Sequence, residues 1–546
     1  MQNVGTPYTR SARRHAGLLL PLASAVSQSG WGIGELSDLP LLARWMRRCG
    51  LDFLLLLPIN EMQASQHSPY SAVSAMAIDP IYVSLGQMAD FAAIGGEHAL
   101  EPSLRATLTS VRASERVDFS AVRDLKMTVL RRAYVSFRET EWTPTTSRGR
   151  LLREFMTREA WWLDDYTVYR ALRDRYRARP WWEWEPGVAG KEPGALADAR
   201  EALMDDRLFY AYVQWIADEQ WATARAVAAP VGVYGDLPFM VSADSADAWA
   251  EQHAFRFDAT VGAPPDAFSD TGQDWGLPAY RWDVFAREGD AWLRARARRA
   301  AALFDAFRVD HVVGFYRTYV IAKGNGHRAF EPPFEPEQLA QGERVLTALL
   351  EAGAGVLAED LGTIPTFVRE SLQRLEIPGY KVLRWEREWD REGQPFRDPL
   401  HYPPVSLATT GTHDTETLAE WWESASFDER VKVLEIPFLR ERRLDPHEGQ
   451  LSPEMRDAVL ELMWASASST VVVPVQDVFG WRERVNIPAT VTEWNWTWRL
   501  PVPVDDLIDH PIAEERAKAL SMWTQRYGRS AGPTPGEPDA ISSRHF

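Results

Sequence analysis

The chain holds a single cysteine, Cys49, among 546 residues. One cysteine excludes a disulfide within the chain and argues against a cysteine-based metal site. Basic residues are also in short supply: 60 Lys and Arg stand against 77 Asp and Glu, for a net charge of −17. That balance argues against a nucleic-acid partner or a phosphate-binding surface, and points to a cytoplasmic protein with a small or neutral ligand. No apolar run approaches the roughly 20 residues of a membrane span. No phosphate-cradling glycine loop and no repeat of solenoid or propeller period occurs. One residue type is in excess, with 24 tryptophans against 16 tyrosines and 22 phenylalanines. Tryptophan is rarely buried whole and offers a flat apolar face that suits the C–H face of a sugar ring. The excess therefore points toward carbohydrate.

Short apolar runs ending in polar, Gly or Pro residues alternate with helical patterns along most of the chain. The runs are Leu18 to Leu22, Phe53 to Pro58, Val231 to Asp236, Leu303 to Asp310, Gly355 to Asp360, Tyr380 to Arg384, Val405 to Thr410 and Thr470 to Asp477. Eight runs joined mostly through helices predict a (β/α)8 TIM barrel, with a doubly wound sheet as the alternative. The first run, preceded by Arg13-Arg14 and followed by Ala23-Ser24-Ala25, also has the pattern of a signal peptide. The alternation breaks between about Glu61 and Asp205, where charged helical stretches and the cluster Trp161, Trp162, Trp181, Trp182, Trp184 are found. This predicts a division into residues 1–60 as the first part of a catalytic barrel, 61–204 as a large, mostly helical insertion, and 205–526 as the rest of the barrel. Within the last part, 238–280 reads as a long active-site loop. The Gly/Pro/Ser-rich residues 527–546 read as a disordered tail.

The third, fourth and fifth runs end in Asp236, Asp310 and Glu359-Asp360, and His413-Asp414 stand just past the seventh. In a barrel these ends share one face. Acids converging on one pocket repel each other, so the arrangement needs a metal ion, a proton or a cationic transition state. Three chemistries answer that need. One is divalent-metal binding, with His413 and His311 as further ligands. Another is acid/base work on a neutral substrate. The third is glycosyl transfer through an oxocarbenium-like transition state flanked by two carboxylates. The tryptophan excess and the missing phosphate loop favour sugars.

At these residues the sequence resembles the amylomaltase, or 4-α-glucanotransferase, family (glycoside hydrolase family 77, within the α-amylase clan). The resemblance rests on Gly32-Ile33-Gly34-Glu35, Ser68-Pro69-Tyr70, Gly235-Asp236-Leu237-Pro238, Ala263-Pro264-Pro265-Asp266-x-Phe268 and Gly272-Gln273-x-Trp275-Gly276-x-Pro278. It continues through Arg308-x-Asp310-His311, Ala358-Glu359-Asp360-Leu361-Gly362, Gly411-Thr412-His413-Asp414, Arg484-Val485-Asn486-Ile487-Pro488 and Asn495-Trp496-x-Trp498-Arg499. The order and spacing of these motifs span nearly the whole chain. The resemblance implies a retaining transfer of α-1,4-glucan segments from a donor to glucose or a maltooligosaccharide acceptor. Asp310 would be the nucleophile, Glu359 the general acid and then base, and Asp414 the holder of sugar hydroxyls. Arg308, His413 and His311 would bind around that sugar, and Asp236, Tyr70 and Trp275 would line the cleft. No metal and no cofactor is expected. The resemblance also makes the first run a barrel strand rather than a signal peptide.

Arg308 lies two residues before Asp310, on the same strand face, and is expected to keep it ionised. Glu359 is expected to have a raised pKa, and retention requires the two carboxyls about 5–5.5 Å apart. The Pro264 to Pro278 segment with Trp275 reads as a lid. Departures from the family pattern are Val312-Val313 where an aromatic and Arg are frequent, Thr415 where Asn is common, and Asn60-Glu61-Met62-Gln63 ahead of Ser-Pro-Tyr. They bear on donor length and on the balance of transfer against hydrolysis. An α-glucan hydrolase on the same fold, a catalytically silent glucan-binding protein and a metal-dependent barrel isomerase are the alternatives.

Overall fold

All eight apolar runs are strands of one closed parallel barrel in a computed structural model of the chain, which describes residues 13–64, 66–265, 272–488 and 490–529. The strands are β1 (His15–Leu19), β2 (Phe53–Leu55), β3 (Gly232–Leu237), β4 (Ala306–Val309), β5 (Gly355–Ala358), β6 (Gly379–Val382), β7 (Ser406–Thr409) and β8 (Thr470–Pro474). Each pairs with its sequence neighbour, and β8 closes on β1 with Gly17 opposite Val472. The first strand starts at His15, earlier than expected, and a 3-10 turn, Leu22–Ser24, takes the end of the run. Helices Leu39–Cys49, Met204–Ala228, Ala291–Leu303, Glu335–Leu350, Thr366–Arg374 and Pro453–Ala465 lie between strands.

The period of two along each strand sorts the barrel into two cores. Leu19, Phe53, Leu55, Tyr234, Ala306, Leu357, Tyr380, Val382, Leu407 and Val472 fill the interior. Their alternates, including Leu18, Leu54, Val233, Phe307, Val309, Val356 and Val471, face the helices. The interior is closed by Phe53 stacked on Tyr234, with ring centroids 4.0 Å apart. A Cβ on Gly17 would come within 2.4 Å of the Phe53 ring, so this layer has room only for glycine. The same parity runs past the plug. Two residues beyond Tyr234 is Asp236, two beyond Ala306 is Arg308 and then Asp310, and two beyond Leu357 is Glu359. Asp236, Arg308 and Leu357 stand in one register across β3, β4 and β5. Asp360, one residue out of phase, is buried and accepts a 2.7 Å hydrogen bond from the Tyr380 N–H.

Between 61 and 204 the described residues hold helices and no named strand, the longest being Phe119–Phe137 and Ala160–Arg175. Asp118 caps the first of these by accepting from Ala121 N at 2.9 Å. One turn further on, Lys126 is wholly buried. Its Nζ donates to the Ile81 and Val83 carbonyls at 2.6 and 2.9 Å and pairs with Glu35 at 2.6 Å. The Gly32-Ile33-Gly34-Glu35 motif therefore fastens the first βα loop of the barrel to the insertion. Trp162, Trp181 and Trp184 are buried there, while Trp161 and Trp182 are exposed.

Two expectations need correction. The stretch 238–280 is not a long loop. It contains a helix, Ala246–Ala250, and the strands Phe255–Ala263 and Gln273–Tyr280. With Thr318–Ala322 and Arg328–Glu331 these form a four-stranded antiparallel sheet, in which Gln273–Tyr280 is an edge. Pro278 sits within that edge strand, where a missing N–H is tolerated. Residues 266–271 of that segment lie outside the described residues. The tail does not begin at Tyr527. The Tyr527 hydroxyl donates to Glu461 at 2.9 Å, and buried Arg529 donates to the carbonyls of Trp464, Ser466, Ser468 and His15. Residues 530–546 lie outside the described residues.

Replacing Gly17 by Ala is expected to push Phe53 off Tyr234 and lower the unfolding free energy by about 1–3 kcal/mol. Urea titration of the two proteins measures this, and an unchanged midpoint would show that the plug layer has slack.

Candidate active site

Arg308 is the hub of the strand ends. Its side chain is 5% exposed. Nη1 lies 2.7 Å from Asp236 Oδ2, and Nη2 lies 2.8 Å from Asp310 Oδ1 and 3.9 Å from Glu359 Oε2. Burial works against the guanidinium charge, but the carboxylates of Asp236 and Asp310 more than restore it and hold its pKa well above the ordinary value. One cation thus reconciles three acids that would otherwise repel. Because Asp310 and Glu359 both neighbour the same Nη2, the geometry accommodates the about 5–5.5 Å carboxyl separation of a retaining pair.

Glu359 follows β5 directly and is held by two backbone donors. His311 N–H donates to Oε2 at 2.8 Å and Leu361 N–H to Oε1 at 3.0 Å. Burial pushes its pKa up to about 7; Arg308 and the two N–H bonds oppose the rise, and neighbouring Asp310 adds to it. His311 can turn its N–H toward Glu359 because it adopts a left-handed backbone, with φ of +45°. That conformation is uncommon outside glycine, and such strained residues concentrate at functional sites. The His311 ring stands edge-on to Trp275 at 4.9 Å and packs on Phe239 at 5.6 Å. Burial lowers its pKa to about 4, so near neutral pH the ring is an uncharged wall.

On the other side of Arg308, the Tyr70 hydroxyl donates to Asp236 Oδ2 at 2.7 Å and lies 3.0 Å from His413 Nε2. A hydroxyl has one proton, so the contact with His413 requires Nε2 to carry a hydrogen. That nitrogen is also 3.2 Å from Asp414 Oδ2. The other Asp414 oxygen accepts from Asn486 Nδ2 at 2.6 Å, and Arg484 Nη2 donates to the Asp414 carbonyl at 2.9 Å. The apolar walls push the Asp414 pKa up, but His413, Asn486 and Arg308 outweigh them and bring it down to about 2. Asp236 is wholly buried; burial, with Asp310 adding, raises its pKa to about 6 against the pull of Arg308.

The residues open onto a cleft of about 1650 Å³. Of the nine site residues read from the sequence, Tyr70, Trp275, Arg308, Asp310, His311, Glu359 and Asp414 line it. Asp236 and His413 stand behind, holding Arg308, Tyr70 and Asp414 in place. Trp275 projects from the edge strand Gln273–Tyr280 rather than from a loop, and its Nε1 donates to Gln273 at 3.1 Å. The sequence reading did not assign Asn486, Tyr380, Trp385, Trp389 or Trp496, all of which line the cleft. Asn486 and Trp496 sat within quoted motifs, and Trp496 carries a further signal seen only in three dimensions, a φ of +70°. Thr415, at a departure from the family pattern, spends its hydroxyl within its own loop on Thr412 N and O, at 3.0 and 3.1 Å. Among the described residues no helix is long and apolar enough to cross a membrane.

A carboxyl poised near neutrality, a second carboxylate beside it on a shared cation, and a third held ionised suit a reaction that builds positive charge between them. Comparison with known proteins agrees with that chemistry. The sequence model of a family described as 4-alpha-glucanotransferase matches residues 20–504. The chain is 32% identical to a 4-alpha-glucanotransferase of Thermus thermophilus, over 94% of this chain and 99% of that protein. It is 30% identical to one of Chlamydia caviae, over 90% of this chain and 92% of that protein. In fold it is similar to the amylomaltase from Streptococcus agalactiae solved in complex with acarbose, with a TM-score of 0.79 and 24% identity over 95% of this chain and all (100%) of that one.

A hydrogen bond to a charged group contributes about 1.5–3 kcal/mol. Asn486→Ala is therefore expected to cut kcat/KM on maltooligosaccharides by about ten- to a hundredfold without changing the circular dichroism spectrum. An unaltered kcat/KM would mean that Asp414 keeps its place without Asn486.

Proposed function

The chain belongs to the 4-alpha-glucanotransferase family, glycoside hydrolase family 77, and from that membership we propose that Asp310, Glu359 and Asp414 carry its transfer reaction by retaining double displacement. The observation that supports this most directly is the split in protonation. Glu359 is raised to about 7 while Asp414 is lowered to about 2, with Asp310 and Glu359 on one guanidinium nitrogen. Two carboxyls whose surroundings push them apart are suited to acid and anion roles in one site.

In the first step an Asp310 oxygen attacks the anomeric carbon of the donor while Glu359 gives its proton to the departing glycosidic oxygen. The released segment leaves with that proton, and a β-linked glucosyl ester remains on Asp310. In the second step the 4-hydroxyl of an acceptor glucan attacks the same carbon, Glu359 takes its proton, and the ester bond breaks to return the Asp310 carboxylate. Two inversions restore the α-linkage. Asp414 accepts from sugar hydroxyls, and its ionised state favours the cationic transition state. Arg308 orients Asp310 through Nη2 and is itself oriented by Asp236 and Tyr70. His311 contributes through its backbone N–H on Glu359 and through its ring as a wall with Trp275. The donor is an α-1,4-glucan and the acceptor glucose or a maltooligosaccharide. We place the activity in the cytoplasm, in keeping with the acidic, cysteine-poor composition.

Incubation with pure maltotriose is expected to give glucose and a ladder of longer maltooligosaccharides; glucose and maltose alone would mean hydrolysis, and no change would defeat both. Asp310→Asn is expected to lose about three to six orders of magnitude in kcat with glucan binding retained. Near wild-type turnover in that variant would remove Asp310 as nucleophile. Because Glu359 must start protonated, kcat/KM should fall as pH rises through about 7. An alkaline limb displaced to pH 9 or above would assign the acid elsewhere.

A further inference from the structure

We propose that Trp389 is a stacking platform for a glucosyl unit of longer glucans, set apart from the bond being broken, and that it fixes the chain length the enzyme prefers. The proposal rests on the assignment of the reacting bond to Asp310, Glu359 and Asp414.

The tryptophan excess divides unevenly in the fold. Trp31, Trp45, Trp249, Trp422, Trp464 and Trp498 are fully buried. The exposed tryptophans among the described residues are Trp161, Trp182, Trp389 and Trp494, and of these only Trp389 lines the cleft. Trp389 is 58% exposed.

Trp389 is carried on a hairpin after β6 that is braced along its length. Arg387 and Phe396 form an antiparallel bridge, Glu388 N–H donates to the Pro395 carbonyl at 3.0 Å, and Arg397 N–H donates to the Glu386 carbonyl at 2.9 Å. The Arg387 side chain locks the two strands together. Its guanidinium donates to the Gln394 carbonyl at 3.0 Å, pairs with Glu429, and lies 4.1 Å over the Phe396 ring. The same guanidinium is 6.0 Å from the Trp389 ring centroid. The turn is made by Gly393 and Gln394, with φ of +77° and +45°. The backbone that carries the indole is thus fixed, and the ring itself stands open to a flat apolar ring face. Among the described residues no hydrogen bond, ion pair or ring contact links Trp389 to Arg308 or its acids. The cleft, about 1650 Å³, exceeds the about 300–1,000 Å³ of ordinary small-ligand pockets, which leaves room for a polymer beyond the reacting sugars.

The test compares Trp389→Ala and Trp389→Phe with the unmodified enzyme, using initial disproportionation rates on maltotriose and on maltoheptaose. Trp389→Ala should raise the KM for maltoheptaose by about 3- to 10-fold, the size of one aromatic stacking contact, and leave kcat and the maltotriose KM within twofold. Trp389→Phe should recover part of the loss. Equal losses on both substrates, or no loss on either, would overturn the proposal, as would a Phe variant no better than Ala. Unchanged maltotriose turnover serves as the folding control. Failure of the underlying assignment is read separately, as near wild-type turnover in Asp310→Asn, while an unmodified enzyme that makes no ladder from either substrate overturns both.

Discussion

A guanidinium taken out of water demands carboxylates, and carboxylates gathered in one place demand a cation. In this protein the two demands answer each other at Arg308. Nη1 goes to Asp236 and Nη2 to Asp310, with Glu359 as the next neighbour. Removing one partner from such a buried set leaves an uncompensated charge, at a cost of about 3–5 kcal/mol. The cluster therefore has a narrow range of workable geometries. Tyr70, Asp236 and His413 hold the guanidinium side, and the Asn486 amide holds the far end on Asp414.

The barrel supplies that geometry through parity and register. Tyr234, Ala306 and Leu357 close the interior, and two residues further along the same strands the inward positions become Asp236, Arg308 and Glu359. The apolar plug below and the charged layer above are thus consecutive layers of one stack. The plug keeps water from the underside of the charged layer, which strengthens each electrostatic contact there. The shift of Glu359 to about 7 follows from that setting, and the contrast with Asp414 follows from its partners, since His413, Asn486 and Arg308 outweigh burial there.

Much of this was legible in the chain. Apolar runs of strand length, interrupted by helical spacing, located all eight barrel strands, because a strand buried on both faces reads as a short continuous apolar run whose length and polar, Gly or Pro ending set it apart from a helix. The spacing Arg308-x-Asp310 placed both side chains on one side of the sheet because residues two apart on a strand share a face. The antiparallel side sheet was hidden, since Pro278 lies within one strand, Pro264 and Pro265 directly follow another, and one of its pairings joins residues more than fifty apart, such as Ala259 and Ala322. The hold on Asp414 was hidden too. Asn486 is an ordinary polar residue until the β8 loop brings it across to the β7 loop.

By itself the sequence determined the strand count, the acids at the strand ends, the family and the reaction class, because those depend on residue type and short spacing. Tertiary structure alone decided how the acids differ. Which carboxyl is raised and which lowered depends on burial and on neighbours from other strands, neither of which is a property of local sequence. It also decided that Asp236 and His413 stand behind the cleft, and that Trp389, out of 24 tryptophans, is the exposed one on its wall. A side chain's accessibility is fixed by everything packed around it, which no short stretch of sequence contains.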